Sequence, residues 1–219
     1  MEKPEDKALR QSVIDELDFD PSVDATTIGV FAADGVVTLA GYVSSFAEKT
    51  AAEQAVRRVK GVRAVAQELE VRYPSSEKTA DDQIARRVLD IFRWSAIVPH
   101  DRINVTVSDG WVTLVGQVDW QFERGAAEDE VRNLSGVAGV INNITVKPRV
   151  DPGDVQRQIE DALKRSAAVE AAGVHVHVVG SGKIRLEGRV RTWQEHDIVA
   201  RAAWSAPGVH SVEDRLTIA

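Results

Sequence analysis

Apolar positions along the chain fall into one short pattern that recurs three times. It opens with residues spaced by four: Leu9, Val13 and Leu17; then Ile84, Val88 and Phe92; then Val155, Ile159 and Leu163. That spacing sets one apolar stripe on a helix. Next comes alternation: Ile28 and Val30; Ile103, Val105 and Val107; Val174, Val176 and Val178. Period two predicts a strand with one face on a core. Asp34-Gly35 and Asp109-Gly110 follow as hairpin-turn dipeptides. A second alternating run then points Val37, Leu39 and Val43 to one side, as it does Val112, Leu114 and Val118, and Ile184, Leu186 and Val190.

A second helix is predicted after each hairpin. Ser45-x-x-Glu48 and Thr192-x-x-Glu195 read as capping boxes, with Asp119 as N-cap in the middle copy. Gly61, Gly136 and Gly208 are expected to end these helices in the left-handed conformation. The final strands carry Leu69/Val71, Ile144/Val146 and Leu216/Ile218. Because a helix separates the second strand from the third, those two are expected to run parallel.

The register is tight. Gly35, Gly110 and Gly182 stand at one constant spacing from Gly61, Gly136 and Gly208, so the copies align without gaps from the hairpin onward. Upstream of the hairpin the third copy aligns one position out of step, so its hairpin turn holds one extra residue. Two short linkers, Pro74–Lys78 and Pro148–Gly153, separate the copies. The expected fold is α+β: three tandem αββαβ modules at 7–74, 80–148 and 153–219, each a three-stranded mixed sheet with two helices on one face.

The pattern V-x-V-x-D-G-x-V-x-L-x-G-x-V, a capped helix, then G-V-x-x-V and a last strand, resembles the BON domain, named for bacterial osmotically inducible and nodulation proteins. The resemblance implies a small module without enzymatic activity, proposed in that family to bind phospholipid or membrane surfaces. Some members are periplasmic stress proteins, and a cytoplasmic one with a LysM module senses potassium. It also implies that the glycine late in the second strand (Gly41, Gly116, Gly188) matters to ligand binding. The residues themselves give that glycine a plainer reading, close approach of a helix to the sheet.

Composition narrows the possibilities. The 219 residues carry 34 acidic against 27 basic side chains, a net charge of −7, which speaks against a nucleic-acid partner. No apolar run is long enough to span a bilayer, and the charged start MEKPEDKALRQ shows no secretory signal, so the expected location is cytoplasmic. The absence of cysteine removes thiolate metal sites and cysteine nucleophiles. No cofactor is expected. His175-x-His177 is the one metal-like spacing; it has no evident third ligand, so no metal is expected either. Gly180-Ser181-Gly182-Lys183 lacks the rest of a phosphate loop. Carboxylates such as Glu48, Glu53, Glu123, Glu128 and Glu130 read as solvated helix surface, and no combination of side chains suggests a catalytic mechanism.

Candidate contacts therefore lie on the outward faces. In the second strand of the first copy these are Val36, Thr38, Ala40 and Tyr42, with Phe31 alongside; in the second copy, Trp111, Thr113, Val115 and Gln117. These faces either pack against each other or a neighbouring subunit, possible in a homo-oligomer, or dock on a membrane or protein. The third copy offers a cationic face, Lys183, Arg185 and Arg189 with Arg191 beyond, suited to lipid headgroups. Phe46, Trp120, Phe122 and Trp193 cluster near the start of the second helix, where either packing between copies or membrane contact would use them. Trp204 replaces Arg57 and Arg132 of the other copies and is expected to touch something. Trp94 is expected to anchor the loop after the first helix. The reading is a phospholipid- or partner-binding protein of osmotic or other stress; the alternative is a cytoplasmic potassium-responsive or protein-interaction scaffold.

Overall fold

The computed structural model describes residues 3–73, 79–147, 155–166, 173–180 and 182–218; both linkers and Ser181 lie outside them. The first repeat comprises α1 (Pro4–Phe19), β1 (Ile28–Ala33), β2 (Val36–Val43), α2 (Phe46–Arg58) and β3 (Ala64–Val71). The second has α3 (Asp81–Trp94), β4 (Ile103–Ser108), β5 (Trp111–Val118), α4 (Gln121–Arg132) and β6 (Gly139–Val146). The third has α5 (Val155–Arg165), β7 (Val174–Gly180), β8 (Lys183–Val190), α6 (Trp193–Ser205) and β9 (Ser211–Ile218). The strands form three separate sheets, ordered β1-β2-β3, β4-β5-β6 and β7-β8-β9. In the first and third, the middle strand pairs antiparallel with the hairpin partner and parallel with the last strand, as the helical crossover requires. By packing, the chain divides into two compact units: 1–100 with 104–115 and 126–143, and 101–103 with 116–125 and 144–219.

The stripes read from the sequence are the cores. Val13, Leu17, Val37, Leu39, Val43 and Val56 are fully enclosed together in the first repeat. Ile159, Leu163, Ile184, Leu186, Val190 and Val199 are their counterparts in the third. Ile84, Val88, Phe92, Val112, Leu114 and Val118 are completely buried in the second. Emptying the largest of these sites, by Phe92→Ala, would cost about 3–5 kcal/mol. One strand residue departs from its expected side. Val178 is exposed because the β7–β8 register shifts between Val178 and Gly180, where the extra residue of the turn is absorbed.

Two backbone assignments change. First, α2 ends at Arg58 with an extended C-cap at Val59, so Gly61 is not the residue that ends the helix. It stands third in a turn closed by Val62 N–H donating to Val59 O, and Gly136 and Gly208 do the same in turns closed at Leu134 and Ala206. Their φ values of 95°, 94° and 90° suit that position, where a type II turn demands glycine. Secondly, the N-cap position of α4 is Trp120, in register with Ser45 and Thr192, and not Asp119. Asp119 pairs instead with Arg102 at 2.8 Å.

Some of the carboxylates expected on solvated surfaces hold loops. Glu48 is only 8% exposed. Its Oε1 accepts from Asp24 N–H at 2.9 Å, and its Oε2 from Ser44 N–H at 2.8 Å and Ser44 Oγ at 2.7 Å. Its own N–H donates to Ser45 Oγ at 3.1 Å. Glu123 accepts from Asp119 and Trp120 N–H at 2.8 and 2.9 Å, and Glu195 from Arg191 N–H at 2.7 Å. These are capping boxes whose acid reaches one residue further back than the usual motif. Glu130 accepts from Ser95 Oγ at 2.6 Å, Glu53 pairs with Arg57 at 2.6 Å, and Glu128 with Arg132 at 3.1 Å.

The hairpin turns are clamped from the first helix. Asp34 and Asp109 both have φ of 51°, as a turn with two left-handed central residues needs. Asp6 Oδ1 accepts from Asp34 N–H at 2.8 Å; Asp81 accepts from Asp109 N–H at 2.8 Å and Gly110 N–H at 2.9 Å. The position in register in the third repeat is Pro152, whose side chain accepts no hydrogen bond.

Candidate functional site

Three of the aromatic candidates converge. Trp120, Phe122 and Trp204 line one hollow of about 470 Å³ with Gln121, Gly125, Arg201 and Ser205. Trp120 and Phe122 stack at 6.4 Å between centroids and 19° between planes. Trp204 packs on its own core from the end of α6 while facing this hollow. Trp193 does not join them; its ring meets His196 edge-on at 5.3 Å, and His196 Nε2 lies 2.9 Å from Asp214. A larger crevice of about 620 Å³ lies between the start of α2 and the end of α4, lined by Ser45, Ala47, Thr50, Asp129, Arg132 and Asn133 among others. It is polar where the first is aromatic.

The outward sheet faces of the first two repeats do not cover each other. Val36, Tyr42, Trp111 and Val115 are each between 42% and 47% exposed. The two rings among them have close neighbours in their own repeats. Arg72 sits 4.9 Å over the Tyr42 ring. The Trp111 ring lies so close over Gly139 that a Cβ there would fall 2.5 Å from it. Such half-covered rings are ordinary on one-sided sheets.

On the cationic face of the third repeat Arg185 is paired within its own sheet. Arg185 binds Glu213 at 2.8 Å, Arg215 bridges Glu213 at 2.5 Å and Glu187 at 3.7 Å, and His177 stands 3.9 Å from Glu187. Hydrogen bonds from Arg185 first, then from Arg215, hold the Glu213 carboxyl below the usual carboxylate range. Sequence periodicity could not show this, because the acid comes from β9, far along the chain from Arg185. Lys183, Arg189 and Arg191 are exposed. His175 and His177 are exposed as well, and among the described residues no group of three metal-ligating side chains occurs.

The late-strand glycines have a different neighbour from the one expected. A Cβ on Gly41 would lie 2.2 Å from Thr27 O, on Gly116 2.1 Å from Arg102 O, and on Gly188 2.0 Å from Gly173 O. The crowding comes from the backbone entering the first strand of each hairpin, not from a helix. Gly41 and Gly188 also sit at φ of 131° and 135°. The glycine therefore lets two backbone segments meet.

The most exposed aromatics were not among the sequence candidates for contact. Phe19 is 83% and Trp94 90% exposed, and they occupy one position, the last residue of the first helix in repeats one and two. Trp94 does not anchor its loop. Ser95 does, its Oγ accepting from Ile97 and Val98 N–H at 3.2 Å while donating to Glu130. Aligning Leu17 with Phe92 also pairs Phe19 with Trp94. Their place off the apolar stripe would have marked them as unburied.

The chain matches the family described as BON domain three times, at residues 5–73, 80–148 and 151–219. The chain belongs to the BON domain family. A relative, the "Osmotically-inducible protein Y" of Escherichia coli (strain K12), is 30% identical over 152 residues, covering 65% of this chain and 73% of that protein. Two solved structures of CdsD, a structural protein of the Type III secretion system of Chlamydia trachomatis, align over 100% and 97% of this chain and 100% and 92% of theirs. At 13% and 14% identity and a TM-score of 0.27 each, these are remote likenesses. Within this BON chain the described helices include none long and apolar enough to cross a membrane. The features common to all three BON repeats (cores, turn glycines, cap acids) build shape; those that differ between repeats are aromatic and charged surface residues.

Proposed function

We propose that this BON protein is a non-enzymatic, peripheral binder of phospholipid surfaces, acting in an osmotic or related stress response. The relative's name, osmotically-inducible, supports the second part. The observation that carries the first is the pair Phe19 and Trp94, more than four-fifths exposed at one repeated position. Aromatic rings that stand clear of any groove suit a soft, wet–apolar boundary better than a shaped protein partner. Full burial of each ring is worth roughly 1.5–3 kcal/mol, enough together for reversible association but not for permanent anchoring. With a net charge of −7 over the whole chain, overall attraction to anionic headgroups is weak. Contact thus shifts from the third repeat to the first two.

Co-flotation with phosphatidylcholine vesicles tests this. The native chain is expected to float, with little change between low and physiological salt. Phe19→Ser with Trp94→Ser is expected to weaken flotation at least about tenfold. Undiminished flotation of that double variant, or none by the native chain, overturns the proposal.

A further inference from the structure

The two crevices described above are the same contact made twice. The start of the second helix supplies Ser45, Ala47 and Thr50 to the first crevice; Trp120, Phe122 and Gly125 supply the second. These are equivalent positions of the first and second repeats. From the opposite side, the end of the next repeat's second helix supplies Asp129, Arg132 and Asn133 to the first, and Arg201, Trp204 and Ser205 to the second. These too are equivalent, in the second and third repeats. Only the chemistry changes: Ser45, Ala47 and Arg132 become Trp120, Phe122 and Trp204. Each repeat therefore offers its helix start to the helix end of its successor. Such a contact joins unlike surfaces and does not use itself up.

Three repeats make two such contacts and leave one surface of each kind. The remaining end belongs to α2: Arg57 and Arg58, beside Gln54, which also lines the first crevice. The remaining start belongs to α6: Thr192, Gln194 and Asp197, with Glu195 beside them. One carries two arginines and the other two acids. Arg57 and Arg58 also hold acids of their own repeat. So does Arg132, which pairs with Glu128 and Asp129 while lining the first crevice. Polarity is likewise no obstacle, since that crevice is built from Ser45, Asp129, Arg132 and Asn133.

We propose that a second copy of this chain docks there, the end of its α2 against the start of the first copy's α6, so that the chains associate head to tail. Within one chain the linkers hold successive repeats at an effective concentration near the millimolar range. Between chains the same kind of contact has no such help. Association is thus weak, and strongest at low ionic strength because the surfaces are charged.

Sedimentation equilibrium from about 10 μM to about 1 mM tests this, spanning the range in which tethering operates. The native chain is expected to leave its monomer mass of 23.9 kDa and pass beyond twice that value at low salt, with added salt reversing the rise. Arg57→Glu alone, and Gln194→Arg with Asp197→Arg, are each expected to stay monomeric. Their equimolar mixture should associate again, since each retains the surface the other lost. The two variants alter different repeats, and thermal melting of each verifies its fold. A native chain that stays at 23.9 kDa throughout, variants that associate as the native chain does, or a plateau at the dimer would each overturn the proposal. None of these readouts involves lipid.

Discussion

Replacing the cap acid of each second helix by glutamine should produce a graded loss of stability set by the number of donors each acid satisfies. Glu48 is buried and accepts three hydrogen bonds. Glu123 accepts two in a part-buried setting, and Glu195 accepts one in an exposed setting. Hydrogen bonds to an ionised acceptor contribute roughly 1.5–3 kcal/mol each when buried. Glutamine keeps one carbonyl but turns an NH₂ toward N–H groups that need an acceptor. Glu48→Gln should therefore cost about 2–4 kcal/mol, Glu123→Gln about 1–2 and Glu195→Gln under about 1. Urea unfolding of the three variants, with amide exchange resolving which repeat opens, measures the series. Each repeat has its own core, so a lower protection confined to the altered repeat is expected. Equal costs at the three sites, or the largest at Glu195, would refute the assignment of these acids as loop clamps.

Other outcomes follow from the same geometry. Gly41→Ala would set a methyl 2.2 Å from Thr27 O at φ of 131°, and strain with overpacking should cost about 2–6 kcal/mol, read as a fall in melting temperature. An unchanged melting temperature would show that the glycine is not there for close approach. Asp20 should make stability acid-sensitive. Hydrogen bonds from the Ser22 side chain, then from Arg58, lower its pKa from 3.8 to about 2. A depressed carboxyl stabilises above its unfolded value, so its contribution, at most about 2 kcal/mol, is present above about pH 4 and lost as pH falls toward 2. Asp20→Asn should flatten that part of the pH profile in thermal melts; an unaltered slope would rule it out.

How much could be read beforehand depended on range. The stripe Val13–Leu17 and the alternation Val37–Leu39 state their own burial, because helix and strand periods translate directly into faces. Turns such as Asp34-Gly35 state their own dihedrals. Three repeats in register then removed ambiguity that any single copy would leave. What escaped were interactions across sequence distance between groups whose types permit several roles. Glu48 looks like surface until Asp24 and Ser44 fold over it. Arg185 looks free until β9 brings Glu213. Gly41 hides its reason because its neighbour, Thr27 O, is backbone and has no sequence signature. Phe19 and Trp94 were legible in principle, since both stand off the core stripe, but only comparison between repeats gives that meaning.

The clamp that Asp6 and Asp81 place on their hairpins has a counterpart in its loss. Pro152 holds the matching position and has no carboxylate to offer the third turn, and that turn alone has lengthened by a residue. Val179 and Gly180 beside it are exposed. A tether that fixes a turn also fixes its length, and in the third copy the proline and the extra turn residue occur together. The bend between Val178 and Lys183 is the place to graft an epitope or a fluorescent peptide, because a longer excursion between Val179 and Gly180 adds mainly loop-closure entropy, whereas the same graft at Asp34 or Asp109 would also disturb the amide hydrogen bond to Asp6 or Asp81.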